Sequence, residues 1–254
     1  MSNNDIYLNK KTVNIGRSIK VINYYANDTV IGKSISDGFY HDASKFKIIN
    51  ENRIKNRNLL DIGAFIGTTS LLMAELVLDE DSVVYAFEPV YFECLEKNIK
   101  DNGLDNKILA YQCGLSSVNG FVKNPRTEFT SKTNYGGQCL LSLHEKNINH
   151  YIIQEPIDNT IELKRLDDFK LKNLGLIKID VEGMELEVLK GGVDTIRNSN
   201  YPPIIIEIWD VVDWRKNFSE YYQKNILEIT SFLRQLGYKV PDYQGECDYI
   251  CLHS

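Results

Sequence analysis

The chain has 254 residues, 43% of them hydrophobic and 25% charged, a composition that supplies a full buried core and excludes disorder and collagen-like repeats. No stretch approaches the roughly 18–20 consecutive apolar residues of a membrane helix, and Met1-Ser2-Asn3-Asn4-Asp5 lacks the basic and apolar regions of an export signal, so a soluble, cytoplasmic protein is expected. With 29 basic and 35 acidic residues the net charge is -6, which counts against nucleic acid as a partner.

In chain order, residues 1–57 are rich in Asn and Lys without a sustained hydrophobic period. They read as a lead-in or cap, with one helix expected over 42–54 around Ile48 and Ile49. From residue 58 to 254 short apolar runs alternate with helical patterns, the signature of parallel strands joined by crossover helices. The expected strands are 59–62, Val83–Phe87, Ile108–Gln112, Leu176–Val181, Ile204–Ile208 and Tyr249–Leu252. Several are continuous apolar runs, as strands buried on both faces should be. Helical stripes are formed by Phe92, Leu95 and Ile99, by Leu186, Leu189, Val193 and Ile196, and by Ile226, Ile229, Leu233 and Leu236. The segment from about 121 to 151, with Pro125, Gly136 and Gly137, is too long for an ordinary connection and reads as an insertion that covers a ligand. An α/β chain is predicted, with a mostly parallel central sheet and helices on both faces. Cys94, Cys113, Cys139, Cys247 and Cys251 include no C-x-x-C pair, so neither a disulfide frame nor a zinc cluster is expected.

After the first of these strands comes Asp61-Ile62-Gly63-Ala64-Phe65-Ile66-Gly67-Thr68-Thr69, a D-x-G-x-x-x-G turn leading into a helix. Gly63 lets the chain turn tightly, and Gly67 lets helix and ligand approach the backbone. A dinucleotide site would need G-x-G-x-x-G to hold a pyrophosphate; here the charge of Asp61 would repel one, and a cationic or zwitterionic ligand fits better. The second strand ends Ala86-Phe87-Glu88-Pro89, placing a carboxylate 21 residues beyond Gly67, where it can accept from both hydroxyls of a ribose. An adenosine with a positive amino-acid tail, S-adenosylmethionine, satisfies both sites.

LLDIGAFIGTTSLLMA at 59–74, VVYAFEP at 83–89, LDDF at 166–169, LIKIDVEGMELEVLKGG at 176–192 and PPIIIEIW at 202–209 resemble, in the same order, the FkbM family of methyltransferases. The KIDVEG block is the specific part, because glycine turns of the first kind occur across S-adenosylmethionine enzymes. The resemblance implies a Rossmann-like class I methyltransferase fold and O-methylation of sugars, polyketide-derived or other small hydroxylated acceptors. By the same match Asp61, Gly63, Gly67 and Glu88, with the neighbouring Ala64, Thr68 and Pro89, take cofactor roles. Gln112 and Cys113 would border the adenine, although no acidic residue stands there to accept from its amino group.

Along Ile177-Lys178-Ile179-Asp180-Val181-Glu182, period-2 alternation places three charged side chains on one face. In a covered strand an unpaired charge is costly, so each must be paired or working. Glu182 reads as a favourable anion at the start of the next helix. Asp180 is expected to be the base that takes an acceptor proton, with Lys178 orienting it and Glu207 binding an acceptor hydroxyl. A bound Mg²⁺ that lowers the hydroxyl pKa is the alternative, and the sequence does not choose. Asn134-Tyr135-Gly136-Gly137 reads as acceptor-side, while His41, His144, His150 and His253 are loop or terminal histidines by default. Trp209, Trp214, Tyr221 and Tyr222 read as core aromatics before stacking platforms. The expected function is O-methylation of a glycan or small polyhydroxylated acceptor. The competing readings are an RNA ribose 2′-O-methyltransferase and a cofactor-binding scaffold without turnover.

Overall fold

A computed structural model of the chain describes residues 7–15, 17–40, 42–78, 81–125, 129–137, 152–208, 220–241 and 248–254. The chain opens with a hairpin in which β1 (Leu8–Ile15) pairs antiparallel with β2 (Ser18–Tyr25). This corrects the reading of residues 1–57 as lacking a period. Val13, Ile15, Ile22 and Tyr25 are buried, but so is Lys20, whose ammonium reaches Glu75 at 2.7 Å. A buried lysine among the core positions hides the alternation from a hydropathy reading. Two short helices follow, α1 (Ile31–Ser36) and α2 (Lys45–Asn52), the second inside the expected 42–54.

Next come β3 (Asn58–Ile62), α3 (Thr68–Val77), β4 (Val84–Phe87), α4 (Phe92–Asp101) and β5 (Ile108–Tyr111). A small sheet of β6 (Gly114–Leu115), β7 (Gly120–Lys123) and β8 (Thr160–Lys164) was not expected; its strands are too short to leave a periodic signal. The chain continues through β9 (Leu174–Ile179), α5 (Glu185–Gly191), α6 (Val193–Asn198), β10 (Ile204–Glu207), α7 (Glu220–Gln235), β11 (Tyr238–Lys239) and β12 (Asp248–His253). The single helical stripe from Leu186 to Ile196 is thus split in two. A side chain at Gly191 would fall on the backbone carbonyl of Ser116, so the break lies where the small sheet meets the helix.

The main sheet has the order β11-β12-β10-β9-β3-β4-β5. Its strands from β10 to β5 are parallel, and β12 runs antiparallel to both neighbours. This is the Rossmann-like class I methyltransferase fold. From β3 the chain winds outward to β5, then returns to the other side of β3 as β9. The order therefore reverses between β3 and β9, and the crevice outside their carboxyl ends is where open α/β sheets take ligands.

One core lies between the sheet and the layer of α3, α4 and the hairpin, and contains Val13, Ile22, Leu71 and Leu95. The other lies beneath α5, α6 and α7, with Leu186, Ile196, Ile229 and Leu233. The N-terminal segment shares the first core, and α3 beneath it is buried along its whole length. Among the described residues no helix is long and apolar enough to cross a membrane.

Candidate active site

A cavity of about 290 Å³ opens at this crevice, walled by the turns after β3, β4 and β9 and by the end of β10. The turn after β3 supplies Gly63, Ala64, Phe65 and Thr68, the turn after β4 Glu88, Pro89 and Tyr91, and the segment after β5 Cys113 and Leu115. A side chain at Gly63, whose φ is 77°, would fall on the carbonyl of Asp180, so only glycine lets β3 and β9 close at this point.

Glu88 is 5% exposed and already employed: one oxygen accepts from the N–H groups of Val90 (2.7 Å) and Tyr91 (2.9 Å), the other from Phe65 N–H (2.8 Å). Burial pushes its carboxyl up to about 7, against the opposing pull of these donors. A carboxylate has about four acceptor positions, and Oε2, with a single N–H partner, keeps one for a ligand hydroxyl.

Three expected cofactor contacts are placed differently. Asp61 is fully buried and lies behind the cavity wall, where Ser70 Oγ donates to it at 2.6 Å. Its other oxygen faces the Lys178 ammonium at 3.1 Å in an ion pair rather than an aligned hydrogen bond. The motif gives the order of residues but not their depth, so Asp61 acts on the cavity through Lys178. Gly67 is also off the wall: with φ 91° it caps α3, and a side chain there would meet Leu95 at 2.7 Å. Gln112 is exposed and turned away, leaving Cys113 as the wall residue of that pair.

The wall also carries Lys178, Asp180, Glu182 and Glu207, at the carboxyl ends of β9 and β10. Lys178 donates to the Gly63 carbonyl at 2.8 Å, so one ammonium joins β9 to the glycine turn. Its partners Asp61 and Asp180 outweigh burial and hold its pKa above the ordinary lysine value. Because β9 ends at Ile179, Asp180 and Glu182 belong to the turn beyond it rather than to one strand face. Asp180 lies between two lysines, Lys178 at 3.4 Å and Lys45 at 3.7 Å. Burial disfavours its charge, but the two ammonium groups win and hold its carboxyl below the ordinary range.

Glu182 is not the first residue of a helix. Its φ is 56°, and Glu185 opens α5 instead, its Oε1 accepting from the N–H groups of Val181 (3.3 Å) and Gly183 (3.0 Å). Carboxylate oxygens of Asp180, Glu182 and Glu207 come within 4.8 Å of one another. Burial, followed by Glu207, Asp180 and Glu185, pushes Glu182 up to about 9.

The N-terminal segment completes the wall with Val30, Ile31, Asp42 and Lys45, which sequence reasoning missed. Lys45 reaches Asp42 (3.6 Å), Asp180 (3.7 Å) and Asp248 (3.6 Å), and with Glu207 these acids hold its pKa high despite burial. No motif marks this lysine; the fold alone brings it to the strand ends. Asn134, Gly136 and Gly137 of the acceptor-side stretch also line the cavity. They are anchored by Asp28, which accepts from the N–H groups of Tyr135, Val30 and Gly32. His41, His144, His150, Trp209, Trp214, Cys139 and Cys247 lie outside the described residues, as do the side chains of Tyr221 and Tyr222. His253 stacks on Tyr201 at 4.1 Å, on the far strand. The described wall carries five acids, Asp42, Glu88, Asp180, Glu182 and Glu207, against Lys45 and Lys178, a balance that favours a cationic ligand.

A family model described as the methyltransferase FkbM domain matches residues 61–240. Methyltransferase sdnD of Sordaria araneosa is 31% identical over 184 residues, 63% of this chain and 69% of that protein. Methyltransferase 1 of Beauveria bassiana is 29% identical over 168 residues, 61% of each chain. The solved structure of methyltransferase FkbM from Methylobacillus flagellatus aligns over 84% of this chain and 51% of its own, at 16% identity and a TM-score of 0.48. The chain thus spans 61–69% of these two curated relatives and about half of that solved chain. With the family model covering most of its length, the chain belongs to the FkbM family of S-adenosylmethionine-dependent methyltransferases.

Proposed function

We propose that the protein transfers a methyl group from S-adenosylmethionine to a hydroxyl oxygen of a sugar or another small polyhydroxylated acceptor. The observation that carries this reading is one cavity whose wall joins Glu88, beside the glycine turn, with Asp180, Glu182 and Glu207 at the carboxyl ends of β9 and β10. The residues fit the cofactor. Gly63 keeps the turn open, the spare acceptor position on Glu88 suits a ribose hydroxyl, Cys113 and Leu115 offer an apolar edge to a base, and the acidic wall suits a sulfonium. When bound, the cofactor supplies an electrophilic methyl group.

The chain's own residues supply the rest. An alcohol is a poor nucleophile unless its proton leaves as the new bond forms, which calls for a carboxylate at the acceptor oxygen. Sugar hydroxyls donate well to clustered carboxylates, whereas a phosphate-rich polymer meets repulsion from a chain of net charge -6. Lys45 and Lys178 already neutralise Asp180, which leaves less uncompensated charge there to hold Mg²⁺ and favours a route without the metal. EDTA is expected to leave turnover intact.

The test offers deoxyhexoses and other glycosides beside capped and uncapped RNA, with a labelled methyl donor, at low and moderate salt. Incorporation into a sugar hydroxyl, insensitive to salt, supports the reading. Transfer to RNA alone, falling steeply as salt rises, replaces it with ribose 2′-O-methylation.

A further inference from the structure

We propose that Glu182, not Asp180, takes the proton from the acceptor hydroxyl, an inference that rests on the O-methyl transfer proposed above. Three acids meet at the strand ends, but their surroundings differ. Asp180 is clamped by Lys178 and Lys45, and Glu207 shares a hydrogen bond with it. Among the described residues no lysine or arginine forms an ion pair with Glu182, which nevertheless stands on the cavity wall. A carboxylate neutralised by two ammonium groups binds a proton weakly, whereas one surrounded by other carboxylates binds it tightly; the second is the stronger base.

The backbone is shaped to present this side chain. Glu182 holds a left-handed conformation that is disfavoured for a residue with a Cβ, and such outliers persist where surrounding bonds impose them. Here Glu185 does so, gripping the N–H groups on either side of Glu182, those of Val181 and Gly183. The groups that face Glu182 are Glu207 from β10, Asp180 from the end of β9, Glu185 from α5 and, more weakly, the opposing charge of Lys178. Burial and these three acids leave the free protein with Glu182 largely protonated at neutral pH, its pKa being about 9. A sulfonium cation entering the cavity offsets the acids and weakens that hold on the proton; the neutral thioether product does not. In the transfer, the acceptor hydroxyl gives its proton to the Glu182 carboxylate as its oxygen lone pair forms the C–O bond. The sulfur–methyl bond breaks with its electron pair left on sulfur, and the proton then passes to water.

The experiment combines titration calorimetry in two buffers of different ionisation enthalpy with pH–rate profiles, on the wild type, Glu182→Gln, Glu182→Asp and Asp180→Asn. The wild type is expected to release more protons on binding S-adenosylmethionine than on binding S-adenosylhomocysteine. Glu182→Gln should bind the cofactor, lose that difference and lose turnover by about 10²-fold or more. Its profile should also lose the rise toward alkaline pH, which Glu182→Asp and Asp180→Asn keep. Near wild-type turnover in Glu182→Gln, or an unchanged proton release, overturns the proposal while leaving cofactor binding intact. Absence of S-adenosylmethionine binding by the wild type instead overturns the underlying reading of the cavity, and this proposal with it.

Discussion

Glu88 accepts three backbone N–H groups, so its carboxylate ties the end of β4 to the glycine turn before any ligand arrives. Glu88→Ala removes both this brace and the acceptor for ribose. S-adenosylmethionine binding should weaken by about 1.5–3 kcal/mol, roughly 10- to 150-fold, measured by calorimetry. Glu88→Gln should retain more of the fold, because its amide oxygen can still serve Val90 and Tyr91, while its NH₂ cannot accept from Phe65. Binding by Glu88→Ala at wild-type strength would remove this residue from the cofactor site. Glu88 was legible in the sequence because strand, acid and spacing coincide. Lys45 was not, because its one local partner, Asp42, is an ordinary i,i+3 pair, and the acids that bring it to the site, Asp180 and Asp248, are 135 and 203 residues away. Glu182 was misread for a different reason: alternation carried past Ile179 assumes that the strand continues, and it ends there.

The N-terminal hairpin is joined to the cofactor turn through one side chain. Asn98 of α4 is fully buried; its oxygen accepts from Asn23 N–H (2.6 Å) and from the Asn23 amide (2.9 Å), and its NH₂ donates to the carbonyls of Asn23 (3.0 Å) and Ile66 (2.7 Å). Asn98→Ala leaves buried groups on both β2 and the glycine turn without partners. Its expected cost is about 2–4 kcal/mol in urea denaturation, with weaker cofactor binding as a consequence. A loss under about 0.5 kcal/mol, the ordinary size of a surface substitution, would show the hairpin to be an independent attachment. At this scale the buried parallel strands were the most legible elements, since β3, β9 and β10 are nearly continuous apolar runs. The hairpin and the small sheet were hidden, the first by Lys20 and Asn23 at buried positions, the second by strands of two to five residues.

For the molecule as a whole, the acid-lined wall predicts a pH dependence of stability. Glu182 and Glu185 have ordinary values of 4.5 raised to about 9 and about 7. Between those limits the folded chain binds more protons than the unfolded one, so this contribution is full below pH 4.5 and is lost as pH rises toward 9. Asp180 and Asp101, with lowered values, act in the opposite sense only below their ordinary value of 3.8. Thermal midpoints should therefore fall from about pH 6 to about pH 9, and Glu182→Gln should flatten the upper part of that slope. A midpoint that climbs through this range in the wild type would contradict the placement of Glu182 among the other acids.

If the cavity at the β3–β9 reversal takes S-adenosylmethionine, calorimetric titration of the wild-type protein reads that binding without any acceptor or variant. Heats of binding with S-adenosylmethionine and S-adenosylhomocysteine are expected in the micromolar range common to metabolic ligands, with NAD weaker than either. No heat with both adenosyl ligands, or tighter binding of NAD, would contradict this reading of the cavity.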